Sequence, residues 1–202
     1  MPLAHLSRDL ILKKIIESTP EPKVAFDYEE DPAKNRIYLA LLESIVSQQI
    51  SVKAAESIFT RFLALFPDGY PHPDQLVAKS AEELRSAGLS GQKLVYLQSV
   101  AAFALENPMS VAYLSALTDE EIVQYLLPIK GVGRWTVEML LMFVLNRPDV
   151  FPIDDLVIRQ RMVKAYGLTE TGRALYKRLH EIAEPWRPHR SLASRYLWRW
   201  KG

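Results

Sequence analysis

Two adjacent carboxylates, Asp154 and Asp155, lie in Val150-Phe151-Pro152-Ile153-Asp154-Asp155-Leu156-Val157-Ile158-Arg159-Gln160, at the head of a stretch with helical apolar spacing. A fixed carboxylate can stabilise positive charge that builds up in a transition state and can orient a water. The dipole of the following helix favours a negative group in its first turn. An acid at this place also serves as an ordinary N-cap, so each member of the pair has two readings. Upstream runs Leu127-Pro128-Ile129-Lys130-Gly131-Val132-Gly133-Arg134-Trp135-Thr136. Pro128 ends one helix, and the two glycines permit backbone angles and close approaches that a Cβ opposes. The next helix then opens with its N–H groups outward, which suits an anion. An ordinary αα-hairpin also favours Pro and Gly. What gives the pattern weight is its spacing, because only about three helical turns and a short loop separate this turn from the two acids.

The elements that must carry these groups are helical nearly throughout. Leu3, Leu6, Leu10, Ile11 and Ile15 form one stripe; Ile37, Leu41, Leu42, Ile45 and Val46 form another; Ile58, Phe62, Leu65 and Phe66 continue after a break near Gln49–Ser51. Capping boxes at Ser80/Glu83 and Thr118/Glu121 mark helix starts, and Gly88, Asn107-Pro108 and Gly167 mark stops. Later helices are expected over Gln92–Glu106, Asp119–Leu127, Arg134–Leu145, Leu156–Tyr166, Arg173–Glu184 and Arg190–Trp200. Three stretches read as loops: Glu21–Pro32, rich in Pro and acids; Phe66–Gln75, with three prolines; and Asn146–Ile153, which leads to the acidic pair.

With 202 residues and 49% apolar content the chain is large enough for a substantial core, which excludes a disordered tail or a disulfide mini-protein. The net charge of +1 hides an asymmetry. Residues 1–158 carry 14 basic and 21 acidic side chains, whereas 159–202 carry 11 and 3. The basic end reads either as a solvated helical face or as an anion-facing surface. There is no cysteine, which removes disulfides, thiolate nucleophiles and cysteine-ligated zinc or iron–sulfur clusters. His5, His72, His180 and His189 are scattered and form no metal-binding group with the acids. The first residues mix charges into their apolar positions and lack a secretion signal, and no run reaches the ~18 apolar residues of a membrane span.

The pattern L-P-x-x-G-V-G-R-W-T followed by F-P-x-D-D-x-x-I-R-Q resembles the helix-hairpin-helix DNA glycosylase superfamily, and within it the alkylpurine branch, the 3-methyladenine DNA glycosylase II family. Further matches are Ile45–Ser51, Gly88-Leu89-Ser90 with Lys93 and Tyr96, and Trp186–Ser191 with Tyr196-Leu197-Trp198, so that the resemblance runs from about Arg36 to Trp200. It implies an all-α, two-lobed helical bundle with the active-site cleft between the lobes. The whole of 1–202 would form a single glycosylase unit. The hairpin falls at about 119–145, and the N-terminal segment and C-terminal helices form the second lobe.

The same resemblance assigns roles. Asp155 maps to the catalytic aspartate, which leaves Asp154 as the N-cap; a register shift of one exchanges them. Related strand-cleaving enzymes carry a lysine two residues after the second hairpin glycine, where this chain has Trp135. With no amine there, no Schiff base forms, and the expected enzyme is a monofunctional hydrolase that leaves an abasic site. Trp135 and Trp198 match aromatic positions of a pocket for cationic alkylpurines such as 3-methyladenine and 7-methylguanine, and both residues also suit plain core packing. Met139 and Leu156 stand in that pocket where tyrosines occur in relatives, and Trp186 reads better as core.

Gln49, next to Gln48, takes the place of the side chain that fills the gap left by a flipped nucleotide. Gly131 and Gly133 would offer N–H groups to a phosphate, with Thr136 adding its hydroxyl or N–H and Lys130 as a phosphate neighbour. The carbonyls of Leu127, Ile129 and Val132 would hold a monovalent cation, Na+ or K+. No other cofactor is required. The implied partner is duplex DNA containing damaged bases, engaged by a monomer without a membrane, in the bacterial cytoplasm at the nucleoid or in a eukaryotic nucleus. Arg159, Arg161 and Arg190 are expected to steer DNA toward Asp155. A non-catalytic hairpin clamp is the main alternative, though such a clamp has no need of Asp155; a glycosylase for another purine lesion is the other.

Overall fold

The computed structural model describes residues 1–22 and 34–202, so most of the Glu21–Pro32 loop lies outside the described residues. All regular structure among them is helical. In chain order the helices are α1 (Pro2–Leu6), α2 (Leu10–Ser18), α3 (Arg36–Ser47), α4 (Val52–Leu63), α5 (Pro73–Ala78), α6 (Ala81–Ser86), α7 (Gly91–Glu106) and α8 (Val111–Ser115). They are followed by α9 (Asp119–Leu126), α10 (Arg134–Phe143), α11 (Leu156–Tyr166), α12 (Gly172–Ala183) and α13 (Arg190–Arg199), with a 3-10 turn at Glu184–Trp186.

Two units divide the chain. One holds residues 1–22 and 141–202 of those described, the other 34–140. In the 34–140 unit, α3 packs on α4 and α7, and α5 and α6 also pack on α7. The expected α3 stripe, Ile37, Leu41, Leu42, Ile45 and Val46, is fully buried, as are Tyr38 and Phe62. Each such side chain contributes roughly 1.5–3 kcal/mol of burial. In the other unit, α13 packs on α2 and α11 around Leu12, Ile15, Ile158, Met162 and Trp186. Trp186 is core, as its sequence context suggests.

The caps follow the chemistry of the sequence. The Ser80 and Thr118 capping boxes are both formed; the Lys79 ammonium, then the Ser80 bonds, hold the Glu83 carboxyl below the usual range, and the Thr118 bonds do the same for Glu121. Gly167 closes α11 in the left-handed conformation. Helix α10 ends at Phe143 rather than Leu145, because Asn146 turns to a positive φ of 52° and the Arg147 N–H returns to the Leu141 carbonyl.

Two expectations are corrected. The N-terminal stripe is not continuous. Asp9 accepts the N–H groups of Ile11 and Leu12 and restarts the chain as α2, which turns Leu12 inward and leaves Leu10 72% exposed. The Phe66–Gln75 loop stops at His72, because Pro73 occupies the first position of α5, where its missing N–H is no loss.

Candidate active site and nucleic-acid interface

In the 34–140 unit the hairpin turn is built from short backbone bonds. The Ile129 N–H returns to Leu126, the Val132 N–H returns to Ile129, and the Lys130 N–H donates to the Ser99 hydroxyl of α7. Gly131 has φ +87°, and a Cβ there would collide with the Tyr96 ring, so only glycine fits. Gly133 is different, since its Cβ position faces open space. The first α10 bond runs from the Val137 N–H to the Gly133 carbonyl, which places the positive end of the helix dipole at Gly133–Trp135. Arg134 is anchored by Glu120, whose carboxyl is held below its ordinary range by that bond and by the Gln124 amide.

A cleft of about 370 Å³ adjoins this turn and is lined by Gln48, Gln49, Lys93, Tyr96, Gly131 and Gly133, among others. Gln48 donates its side-chain amide to the Gly131 carbonyl at 3.1 Å, which joins the α3–α4 turn to the hairpin. The Lys93 ammonium donates to the Val46 carbonyl at 2.6 Å, and burial holds its pKa below the usual lysine value. Gln48, Gln49, Gly131 and Gly133 are therefore brought together. Lys130 is exposed beside them.

Thr136 is corrected in part. The residue is 3% exposed, so it is withdrawn from the surface where a phosphate contact was expected. Trp135 is 37% exposed and Met139 half-buried. The carbonyls of Leu127, Ile129 and Val132 are a neutral, all-oxygen set, which matches a monovalent cation better than a transition metal. The Ile129 carbonyl already accepts the Val132 N–H and would use its second lone pair for an ion. Among the described residues no cluster of three His, Cys, Asp or Glu could hold a metal.

In the other unit Asp155 is the N-cap of α11 and is only 8% exposed. Its Oδ1 accepts the Ile158 N–H at 2.9 Å and the Trp198 indole N–H at 2.9 Å. Trp198 in turn stacks on Phe143, with ring centroids 5.5 Å apart. This corrects the division expected for the acidic pair, because one residue both caps the helix and holds the fixed carboxylate. Asp154 does not cap. It is half-exposed at the side chain and accepts the Tyr176 hydroxyl at 3.2 Å. Leu156 is 58% exposed.

The support of this turn comes from residues whose role the sequence did not disclose. The Arg159 guanidinium donates to the Asp154 carbonyl, the Ile153 carbonyl and the Tyr176 hydroxyl. Farther back, Asp149 accepts the guanidinium groups of Arg187 and Arg190. The Ser191 hydroxyl accepts from Val150 N–H and donates to the Arg147 carbonyl. The three arginines expected to steer DNA are thus turned to internal partners, with Arg161 on the Leu197 carbonyl. The W-R-P-H-R-S motif was the available signal, but nothing in residue type told a surface cation from a loop brace.

Comparison with known proteins decides the family. The pattern of the HhH-GPD superfamily base excision DNA repair protein matches residues 42–188. The chain belongs to this superfamily. It is 37% identical over 168 residues to DNA-3-methyladenine glycosylase 1 of Schizosaccharomyces pombe, covering 82% of this chain and 73% of that one. Among solved structures it is similar to the Schizosaccharomyces pombe 3-methyladenine DNA glycosylase in complex with abasic DNA, at 33% identity and a TM-score of 0.79 over 98% of this chain and 94% of that chain. It is also similar to a DNA-3-methyladenine glycosidase from Bacillus halodurans, at 31% identity and a TM-score of 0.79 over 96% and 85%. Within the superfamily, the all-helical reading and the helix-hairpin-helix resemblance of the sequence are both correct.

Proposed function

We propose that this protein is a DNA glycosylase that hydrolyses the N-glycosidic bond of alkylated purines, of the 3-methyladenine and 7-methylguanine type, in duplex DNA. The observation that carries the reading is the Asp155 carboxylate, fixed by the Ile158 N–H and the Trp198 indole at the head of α11, in a chain whose relatives are named DNA-3-methyladenine glycosylases.

The chemistry follows from that carboxylate. Departure of the purine leaves oxocarbenium character on the sugar, and a rigid negative group stabilises it without reorganising at the moment of reaction. The same group orients the attacking water. The damaged base must leave the stack first, at a cost of a few kcal/mol that is least for a damaged pair. The residues whose sequence positions suit contact with the base are Trp135 and Met139 in the 34–140 unit and Leu156 and Trp198 in the other, and Gln49 would fill the gap. Gly131 and Gly133 would bind a phosphate of the lesion strand through backbone N–H groups, with Lys130 nearby. A Na+ or K+ on the Leu127, Ile129 and Val132 carbonyls would stiffen that turn and add positive charge. A site at the genome, in the nucleoid or nucleus, would suit this chemistry; among the described residues no helix is long and apolar enough to cross a membrane.

Because Trp135 stands where strand-cleaving relatives carry lysine, the product is an abasic site. Purified protein incubated with methylated duplex DNA is expected to release free purines and to leave sites that break only under alkali. Borohydride should trap no covalent complex. Direct nicking with trapping overturns the hydrolase reading, and absence of base release overturns the activity itself.

A second expected outcome isolates the indole. Trp198→Phe retains an aromatic face for the Phe143 stack but removes the N–H donated to Asp155. A hydrogen bond to a charged group contributes about 1.5–3 kcal/mol, so single-turnover base release should slow by roughly ten-fold or more. An unchanged rate would show that the Ile158 N–H alone is enough to orient the carboxylate.

A further inference from the structure

Gln49 has φ +61°, in the left-handed region that residues with a Cβ enter only when their surroundings hold them there. Its flanks show what does so. Three residues before it, the Val46 carbonyl is one of the terminal carbonyls of α3 that have no acceptor role within the helix, and it takes the Lys93 ammonium at 2.6 Å. One residue before it, the Gln48 amide is tied to the Gly131 carbonyl. Two residues after it, Ser51 caps α4 through the Ala54 N–H. Lys93 lies on α7 one turn from Tyr96, the residue against which Gly131 is closed. The turn that carries Gln49 is therefore clamped to α7 and to the hairpin together.

We propose that Lys93, with Gln48, is a positioning lock that holds the α3–α4 turn in the shape that presents Gln49, and thereby sets how effectively the damaged nucleotide is kept out of the stack. The role of Gln49 in filling the gap rests on the function proposed above; the lock itself does not. A positive charge suits the place, because Val46 lies in the last turn of α3, where the helix dipole is negative. A neutral side chain of the same length loses both the hydrogen bond and that attraction. The competing role for Lys93 is a direct phosphate contact, which makes a different set of predictions.

The test uses the full chain with Lys93→Met, Lys93→Arg and, as a milder second variant, Gln48→Leu. In the free protein, hydrogen exchange at the amides of Gln49, Ile50 and Ser51 should accelerate at least ten-fold in Lys93→Met, with α7 amides changed less than two-fold. Lys93→Arg should restore most of the protection, and Gln48→Leu should show a smaller acceleration at the same amides. In single-turnover base release at saturating protein, Lys93→Met should be at least ten-fold slower, while affinity for undamaged duplex changes less than three-fold. Adding Gln49→Ala to Lys93→Met should cost little more, since both act on one step.

Unchanged exchange at residues 49–51 overturns the lock. So does a variant whose rate at saturation is intact but whose affinity and salt dependence both fall, which assigns Lys93 to a phosphate. If Lys93→Met does not fold, unchanged exchange in Gln48→Leu has the same force. Lack of base release by the unaltered protein would defeat the proposed function and leave the exchange result to decide the lock.

Discussion

Asp155→Asn should abolish base release while leaving the fold and lesion binding in place. Asparagine is as good an N-cap as aspartate, and its carbonyl oxygen can still accept from the Ile158 N–H and the Trp198 indole that Asp155 now holds. What the variant lacks is the negative charge. Loss of one preorganised electrostatic partner of a transition state typically costs 10²–10³ in rate, and a full charge facing an oxocarbenium-like sugar should lie at or beyond the upper end, on the order of 10³-fold. Asp154→Asn is the control. Its side chain is half-exposed and touches Tyr176 rather than the helix terminus, so base release should change by no more than about three-fold. Single-turnover release from methylated DNA, with thermal unfolding of both variants, checks the pair. An active Asp155→Asn beside an inactive Asp154→Asn would transfer the role to the neighbour.

The second large effect is structural. Gly131→Ala meets two penalties at once, a left-handed backbone angle and collision with the Tyr96 ring. The first costs about 1–2 kcal/mol and overpacking a further 1–3 kcal/mol. A chain of this size responds with a Tm lower by roughly 5–15 °C. The Gln48 bond to the Gly131 carbonyl should weaken in step. Gly133→Ala provides the contrast, because its Cβ would enter open space and its φ is not positive. Stability should change by less than about 1 kcal/mol, while the methyl group obstructs the close approach of a phosphate and lowers DNA affinity. Calorimetry and duplex binding on both variants separate the two glycines. A wild-type Tm for Gly131→Ala would contradict the described turn.

Sequence legibility followed the range of the interactions. Caps, stops and helical stripes depend on residues a few positions apart, and Ser80, Thr118, Gly167 and the α3 stripe all behave as their types dictate. The hairpin was readable because Pro and Gly have backbone consequences wherever they occur. Long-range partners were not. Adjacency could not show which of Asp154 and Asp155 is the buried, fixed carboxylate, because one of the two partners that hold it is Trp198, 43 positions away from Asp155. Arginine gives the same formal charge on a solvated face as it does folded against a carbonyl, so Arg159, Arg161 and Arg190 suggested a DNA-facing surface and instead brace backbone. The two glycines of the hairpin looked equivalent, yet only one of them is enforced by its surroundings.

The closure of the N-terminal segment has a consequence for the order of biosynthesis. Asp9 caps α2 and also accepts the Tyr166 hydroxyl and the Trp186 indole, and α2 packs on α13. A ribosome delivers the 34–140 unit as one uninterrupted stretch that can complete its own core as it emerges. Residues 2–18 must meanwhile wait for partners more than 150 positions downstream, at the entropic expense of closing a long loop. Asp155 gains the indole of Trp198 only after a further 43 positions have been synthesised. The hairpin turn can thus be finished before the Asp155 carboxylate gains its second partner, which must wait until Trp198 has been made.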